Sequence, residues 1–123
     1  MPIRLVDRNP VVPADQLIAN MVPPTMFDDV SFASYIPDPA EPTQAEAVAK
    51  AEEFAGKVGK IRSGGKRGLF GKKTQATGAG LYLDGGFGVG KTHLLASIYH
   101  ATPEPKAFGT FVELTHVVGA LGF

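Results

Sequence analysis

Apolar residues fall along this chain in several rhythms, and each rhythm predicts a different kind of element. Up to about residue 43 they are spaced points: Leu17, Ile18, Met21, Met26, Phe27, Val30, Phe32, Tyr35 and Ile36. Prolines at 10, 13, 23, 24, 37, 39 and 42 stand among them. Proline has no amide donor and biases the residue before it toward extended backbone. The segment therefore reads as an extended arm laid across another surface, with a helical turn or two around Ala14–Asn20. From Thr43 the rhythm tightens. Ala45, Val48, Ala49, Ala51 or Glu52, Phe54 and Ala55 place a small apolar stripe at helical spacing. Thr43 and Glu46 have the spacing of a capping box, in which each side chain satisfies an orphan amide of the helix start. The pattern predicts a helix over about 44–57, ended by Gly59, and then a glycine-rich loop to about Gly78.

Leu81, Tyr82 and Leu83 form a short apolar run bounded by glycines, which predicts a strand. Leu94, Leu95, Ile98 and Ala101 lie on one face of a helix starting near Lys91 and stopped by Pro103 and Pro105. Residues 107–114, AFGTFVEL, are β-prone and predict a second, buried strand, after which Thr115 would cap a last helix. Strand, turn, helix and strand make a βαβ unit, whose right-handed crossover joins parallel strands covered on both faces. The expected class is α/β: a parallel-sheet core, truncated, behind an extended arm and one helix. The expected divisions are the arm at 1–43, the helix and basic loop at 44–77, and the first βαβ unit at 78–123. Two strands do not make such a sheet, and the chain stops inside a predicted apolar helix. Truncation is the expectation, with these residues as the opening third or so of a larger protein.

Composition changes this picture little, but charge does. The chain has 123 residues, 44% of them hydrophobic, and no cysteine, which excludes disulfides and thiolate metal sites. No apolar stretch approaches the roughly 20 residues of a membrane span, and the first residues lack the apolar core of a secretory signal. A cytosolic protein is expected. Net charge is zero, yet residues 1–55 carry nine acids against three bases. Residues 56–80 carry seven bases (Lys57, Lys60, Arg62, Lys66, Arg67, Lys72 and Lys73) and no acid. A compact basic stretch can meet phosphates, an acidic partner or an anionic membrane surface. Eight of the fifteen glycines lie in the same stretch, which favours a solvated loop.

The chemistry concentrates in LYLDGGFGVGKTHLL, residues 81–95. Gly85, Gly90, Lys91 and Thr92 satisfy G-x-x-x-x-G-K-[ST], with Gly88 as a further glycine. Such a loop must wrap backbone amides around an oxyanion, and side chains at Gly88 or Gly90 would obstruct it. The helix that follows directs free amides and the positive end of its dipole at the phosphates. Lys91 can reach the β- and γ-phosphates, and the Thr92 hydroxyl can ligate Mg²⁺. The α/β core is therefore expected to be that of a P-loop NTPase, part of a larger ATPase, with nucleotide contacts from Gly85, Gly86, Phe87, Gly88, Val89, Gly90, Lys91 and Thr92. Phe87 and Tyr82 read most simply as packing residues, with a position over the nucleotide or at a subunit boundary as the alternative for Phe87. His93, His100 and His116 have no ligand-spaced partners and read as surface or hydrogen-bonded histidines. Hydrolysis also needs an acid supporting the metal and a group orienting water. Beyond Thr92 only Glu104 and Glu113 are acidic, and neither closes a suitable strand, so turnover by this stretch alone is not expected.

FDDVSFASYIPDPAEPTQAEAV (Phe27–Val48), a basic loop and GLYLDGGFGVGKTHLL (Gly80–Leu95) together resemble the N-terminal part of the ZapE family. These are AAA+ ATPases of bacterial cell division, related to mitochondrial ATPases of the lactation-elevated type. The resemblance implies ATP binding, Mg²⁺-dependent hydrolysis, contact with a tubulin-like division-ring protein, and peripheral association with the inner face of the membrane. The oligomeric state of the whole protein stays open, an oligomer being one alternative, and Tyr35 and Ile36 are expected near the adenine, where AAA+ chains often pass before the first strand. GxGKTHLL is similar, too, to replication initiators and helicase loaders, which act on DNA. A basic loop with Phe70 as its only aromatic is weak support for nucleic-acid recognition. A third reading is nucleotide or partner binding without turnover. A guanine-reading N-K-x-D motif does not occur, which argues against a small GTPase.

Overall fold

The computed structural model describes residues 13–63, 78–86 and 88–122. Four α-helices run through them: α1 at Ala14–Ala19, α2 at Pro42–Ser63, α3 at Lys91–Ala101 and α4 at Phe111–Leu121. Two 3-10 turns, Thr25–Phe27 and Phe32–Ser34, punctuate the arm. The described residues divide into two compact units, 13–22 with 107–122 and 23–106.

The expected parallel-sheet α/β core is not what the chain forms. Among the described residues the structure is helical, and no strand occurs. The physical reason lies in the second expected strand. Residues 107–110 are irregular and Phe111 opens α4, because Thr110 and Glu113 make a reciprocal capping box. The Thr110 hydroxyl accepts from the Glu113 amide at 3.2 Å, and the Glu113 carboxylate accepts from the Thr110 amide. That local satisfaction of two helix-start donors outweighs the β-preference of Phe111 and Val112. Thr115, expected as the cap, instead donates to the Val112 carbonyl at 2.7 Å inside the helix. With that partner helical, Leu81–Leu83 has no ladder to join and stays irregular, its Tyr82 side chain 87% exposed.

In the larger unit, α2 packs against α3. The buried residues are small: Ala51 and Ala55 on α2, Ala96 and Ser97 beside Leu94 on α3. Of the stripe expected on α2, Ala51 and Ala55 are buried and Val48 and Phe54 half-buried, while Ala45 and Ala49 are exposed. Ser97 satisfies its hydroxyl by donating to the His93 carbonyl one turn back, at 2.8 Å. Helix α2 begins at Pro42, whose fixed φ and missing donor suit a first helical position, and it passes through Gly59 to Ser63. Both ends therefore lie outside the expected 44–57. Exposed pairs Glu46–Lys50 (2.6 Å) and Glu53–Lys57 (2.7 Å) line its solvent side at i,i+4 spacing. The bases at 66, 67, 72 and 73 fall outside the described residues.

In the smaller unit, α1 meets α4. Met21 and Val117 are its buried apolar residues, and the Met21 carbonyl accepts from the Phe108 amide at 2.8 Å. Among the described residues, no helix is long and apolar enough to cross a membrane.

Candidate functional site

The site is built where the arm, the start of α2 and the loop before α3 converge, all within the larger unit. Gly90 is the N-cap of α3 and holds φ 88°, ψ 24°, a left-handed conformation that a side chain disfavours. It has a second reason to be glycine: a Cβ there would collide with the Tyr35 ring. Gly88 likewise has φ 75°. No side chain caps α3, so the amides of its first turn are not taken up by the usual Ser, Thr, Asp or Asn oxygen. The Lys91 ammonium donates to the Gly85 carbonyl, arching over the loop, and the Asp84 carboxylate accepts from the Gly85 amide at 2.8 Å.

The arm reaches this loop through Tyr35. Its phenol donates to the Val89 carbonyl, and its ring stands edge-on to His93 with centroids 5.5 Å apart. The turn carrying it is held by Ser31 and Ser34, which form a small capping box. Beyond it, Asp38 folds the chain back: its carboxylate accepts from the Ala40 amide at 2.9 Å, and its own amide donates to the Gln44 side chain at 2.8 Å. This is the structure of the Tyr-Ile-Pro-Asp-Pro stretch, and it delivers the first turn of α2 to the loop.

A cavity of about 320 Å³ opens between these elements. Gly85, Gly86, Val89 and Lys91 line it from the loop, and Leu83 and Asp84 from the segment before it. Tyr35 closes one side, while Thr43, Gln44 and Ala47 come from the start of α2 and Glu41 stands just before it. A second, more open cleft holds Ile36, Tyr35, Gly88, Val89, Gly90 and His93. The expected site residues are therefore brought together with two qualifications: Thr92 is exposed and lines neither space, and Ile36 is 89% exposed. Phe87 falls outside the described residues. Sequence reasoning missed Glu41, Gln44 and Asp84 as cavity residues. For Glu41 and Gln44 the signal in the sequence is a helix that follows the Pro-Asp-Pro turn, and that pattern by itself indicates capping.

A family model described as AFG1-like ATPase matches residues 11–116. The chain belongs to the AFG1-like ATPase family. No curated protein matches it, and no solved structure does. The match agrees with the ZapE-type resemblance of Phe27–Val48 and Gly80–Leu95, and it supports nucleotide binding of an ATPase type. In this AFG1-like chain neither acid beyond Thr92 is among the residues that line the cavity. Glu113 is spent on capping α4, and Glu104 sits in the proline turn after α3. Among the described residues, no group of three or more His, Asp or Glu side chains is placed to hold a metal ion.

Proposed function

We propose that this chain supplies the ATP-binding part of an AFG1-like ATPase, with the phosphates cradled by residues 85–92 and the base in the cavity beside Tyr35. The observation that carries the reading is the start of α3: a left-handed glycine, no side-chain cap, and Lys91 leaning over the loop from the first helical position. Backbone amides with the dipole end of a helix and a mobile ammonium are what a polyphosphate needs. The cavity volume falls within the roughly 300–1,000 Å³ of small-molecule sites. Lys91 exchanges its carbonyl partner for phosphate oxygens, a stronger, charge-assisted contact. Gln44 and Glu41 offer a donor and an acceptor to the base edge.

The residues suit Mg²⁺ in kind. The Thr92 hydroxyl, at the second position of α3, is the group that would hold the ion; Mg²⁺ keeps several waters and takes its other ligands largely from the nucleotide. Bound there, the ion neutralises charge on the β- and γ-phosphates. What the protein does is position: the glycines admit the chain of phosphates, Lys91 orients it, and Tyr35 with α2 fixes the base.

Resemblance to the ZapE group motivates the wider part of the proposal. In it, ATP hydrolysis by the whole protein serves bacterial cell division, through a division-ring protein and peripheral contact with the inner face of the membrane, in an oligomer. The test of the central claim is Lys91→Ala in the full chain, followed by titration with ATP in the presence and absence of Mg²⁺. Affinity should fall by at least about tenfold. Unchanged affinity would remove the phosphate loop from the function.

A further inference from the structure

His93 follows the phosphate loop by one turn and makes contacts that a stray surface histidine would not. Its Nε2 lies 3.0 Å from the Ser31 carbonyl and 2.9 Å from the Ser34 hydroxyl. A carbonyl oxygen can only accept, so Nε2 carries a proton and donates. The Ser34 hydroxyl donates to the same carbonyl at 2.9 Å and accepts from the Ser31 amide at 2.9 Å. The single Nε2 proton of His93 is shared between that carbonyl and the Ser34 hydroxyl as a three-centre bond, so the hydroxyl's one proton and two lone pairs are all used. The turn at Phe32–Ser34 is thereby pinned to α3 at one point, and Tyr35 is the next residue. The Tyr35 ring meets the edge of His93, its hydroxyl holds the Val89 carbonyl, and its ring fills the space where a Cβ of Gly90 would stand.

We propose that His93 is a positioning residue for the phosphate loop, acting through Tyr35: it holds the Ser31–Ser34 turn, and the turn sets the phenol that fixes Val89 and Gly90 in their phosphate-binding shape. This rests on the reading of residues 85–92 as an ATP loop. A second histidine provides an internal control. His100, on the same helix, has its Nε2 2.8 Å from the Phe27 carbonyl, so it too pins the arm, but lines neither of the spaces beside the loop.

The experiment is ATP titration and thermal melting of the full chain for Lys91→Ala, His93→Ala, His93→Gln, Tyr35→Phe, the double variant Tyr35→Phe/His93→Ala, and His100→Ala. Glutamine places an N–H donor near the position of Nε2 and should bind ATP within about twofold of the parent. His93→Ala and Tyr35→Phe should each weaken ATP binding about three- to tenfold, and the double variant should be no weaker than the worse single one. His100→Ala should lower the melting temperature and leave ATP affinity alone. ATP affinity unchanged in His93→Ala while Lys91→Ala loses it overturns the positioning role alone. Fully additive losses, or equal losses in His93→Gln and His93→Ala, overturn it as well. If His93→Ala does not fold, the Gln and Phe variants still decide, since equal defects in His100→Ala and Tyr35→Phe would count against it. Full affinity in Lys91→Ala overturns the phosphate-loop reading and this inference together.

Discussion

Helices α3 and α4 have the same length, 11 residues, and opposite beginnings. Every helix leaves its first amides without an intrahelical partner. At α4 the chain answers this itself, with Thr110 and Glu113 bonding each other's backbone. At α3 it offers only Gly90, in a conformation closed to most residues, and no side-chain cap. One start is self-sufficient, and the other leaves its first amides without a side-chain partner, open for the phosphates proposed above. The difference teaches how to separate a stability device from a binding device when both are helix N-termini. A cap is a side chain spent on the helix, whereas the binding start proposed at α3 withholds the side chain and adds a cation, Lys91.

The sharpest way to break the comparison is to give the α3 start a side chain. Gly90→Ala places a Cβ at φ 88° and against the Tyr35 ring. The backbone conformation alone costs on the order of 1–3 kcal/mol. Because Tyr35 must move, the Val89 contact goes with it. ATP binding should be lost or weakened well beyond tenfold, with a lower melting temperature. Normal ATP binding by the Gly90→Ala chain would show that the loop shape is irrelevant to the ligand.

The α4 start should behave the other way. Thr110→Ala removes a cap and should lower stability by about 1 kcal/mol, a shift readable by chemical denaturation. ATP affinity should not change. A loss of nucleotide binding in Thr110→Ala would mean that the two starts are not independent devices.

How far the sequence announced these features depends on the range of the interactions that make them. The left-handed glycine turn before α3, proposed as the phosphate loop, was legible because its glycines and Lys91 lie close together in sequence and each answers a local demand. Helix α3 was legible from Leu94, Leu95, Ile98 and the prolines beyond it. The sheet expectation failed at 107–114. There the β-prone Phe111 and Val112 competed with a capping box only four residues long, and periodicity over so short a run does not decide between strand and helix. The extension of α2 past Gly59 was hidden because a single glycine lowers helix stability by only about 1 kcal/mol and its neighbours can carry it. Contacts such as His93 with Ser31 and Ser34 span some 60 positions of sequence, and nothing in spacing or composition announces them.

The smallest effect tests the chemistry of the α4 cap by pH. The Thr110 amide is the main cause that holds the Glu113 carboxyl below its ordinary value, followed by the Thr110 hydrogen bond through its side chain, with His116 adding favourable charge. A carboxyl whose value is lowered on folding stabilises the fold above the ordinary carboxylate range. That contribution is lost as the pH falls through the lowered folded value. Acidification from about pH 6 to about pH 3 should therefore lower the melting temperature, and Glu113→Gln should flatten that dependence. Glu46 and Glu53 act with the same sign, since hydrogen bonds and charge from Lys50 and Lys57 lower them too. Their pairs are exposed on α2 and respond to salt, because a Debye length at 1 M is only about 3 Å. The cap's share, carried mainly by a backbone hydrogen bond, should persist at high salt. If 1 M salt erases the difference between Glu113→Gln and the parent chain, long-range charge and not the cap is what Glu113 contributes to α4.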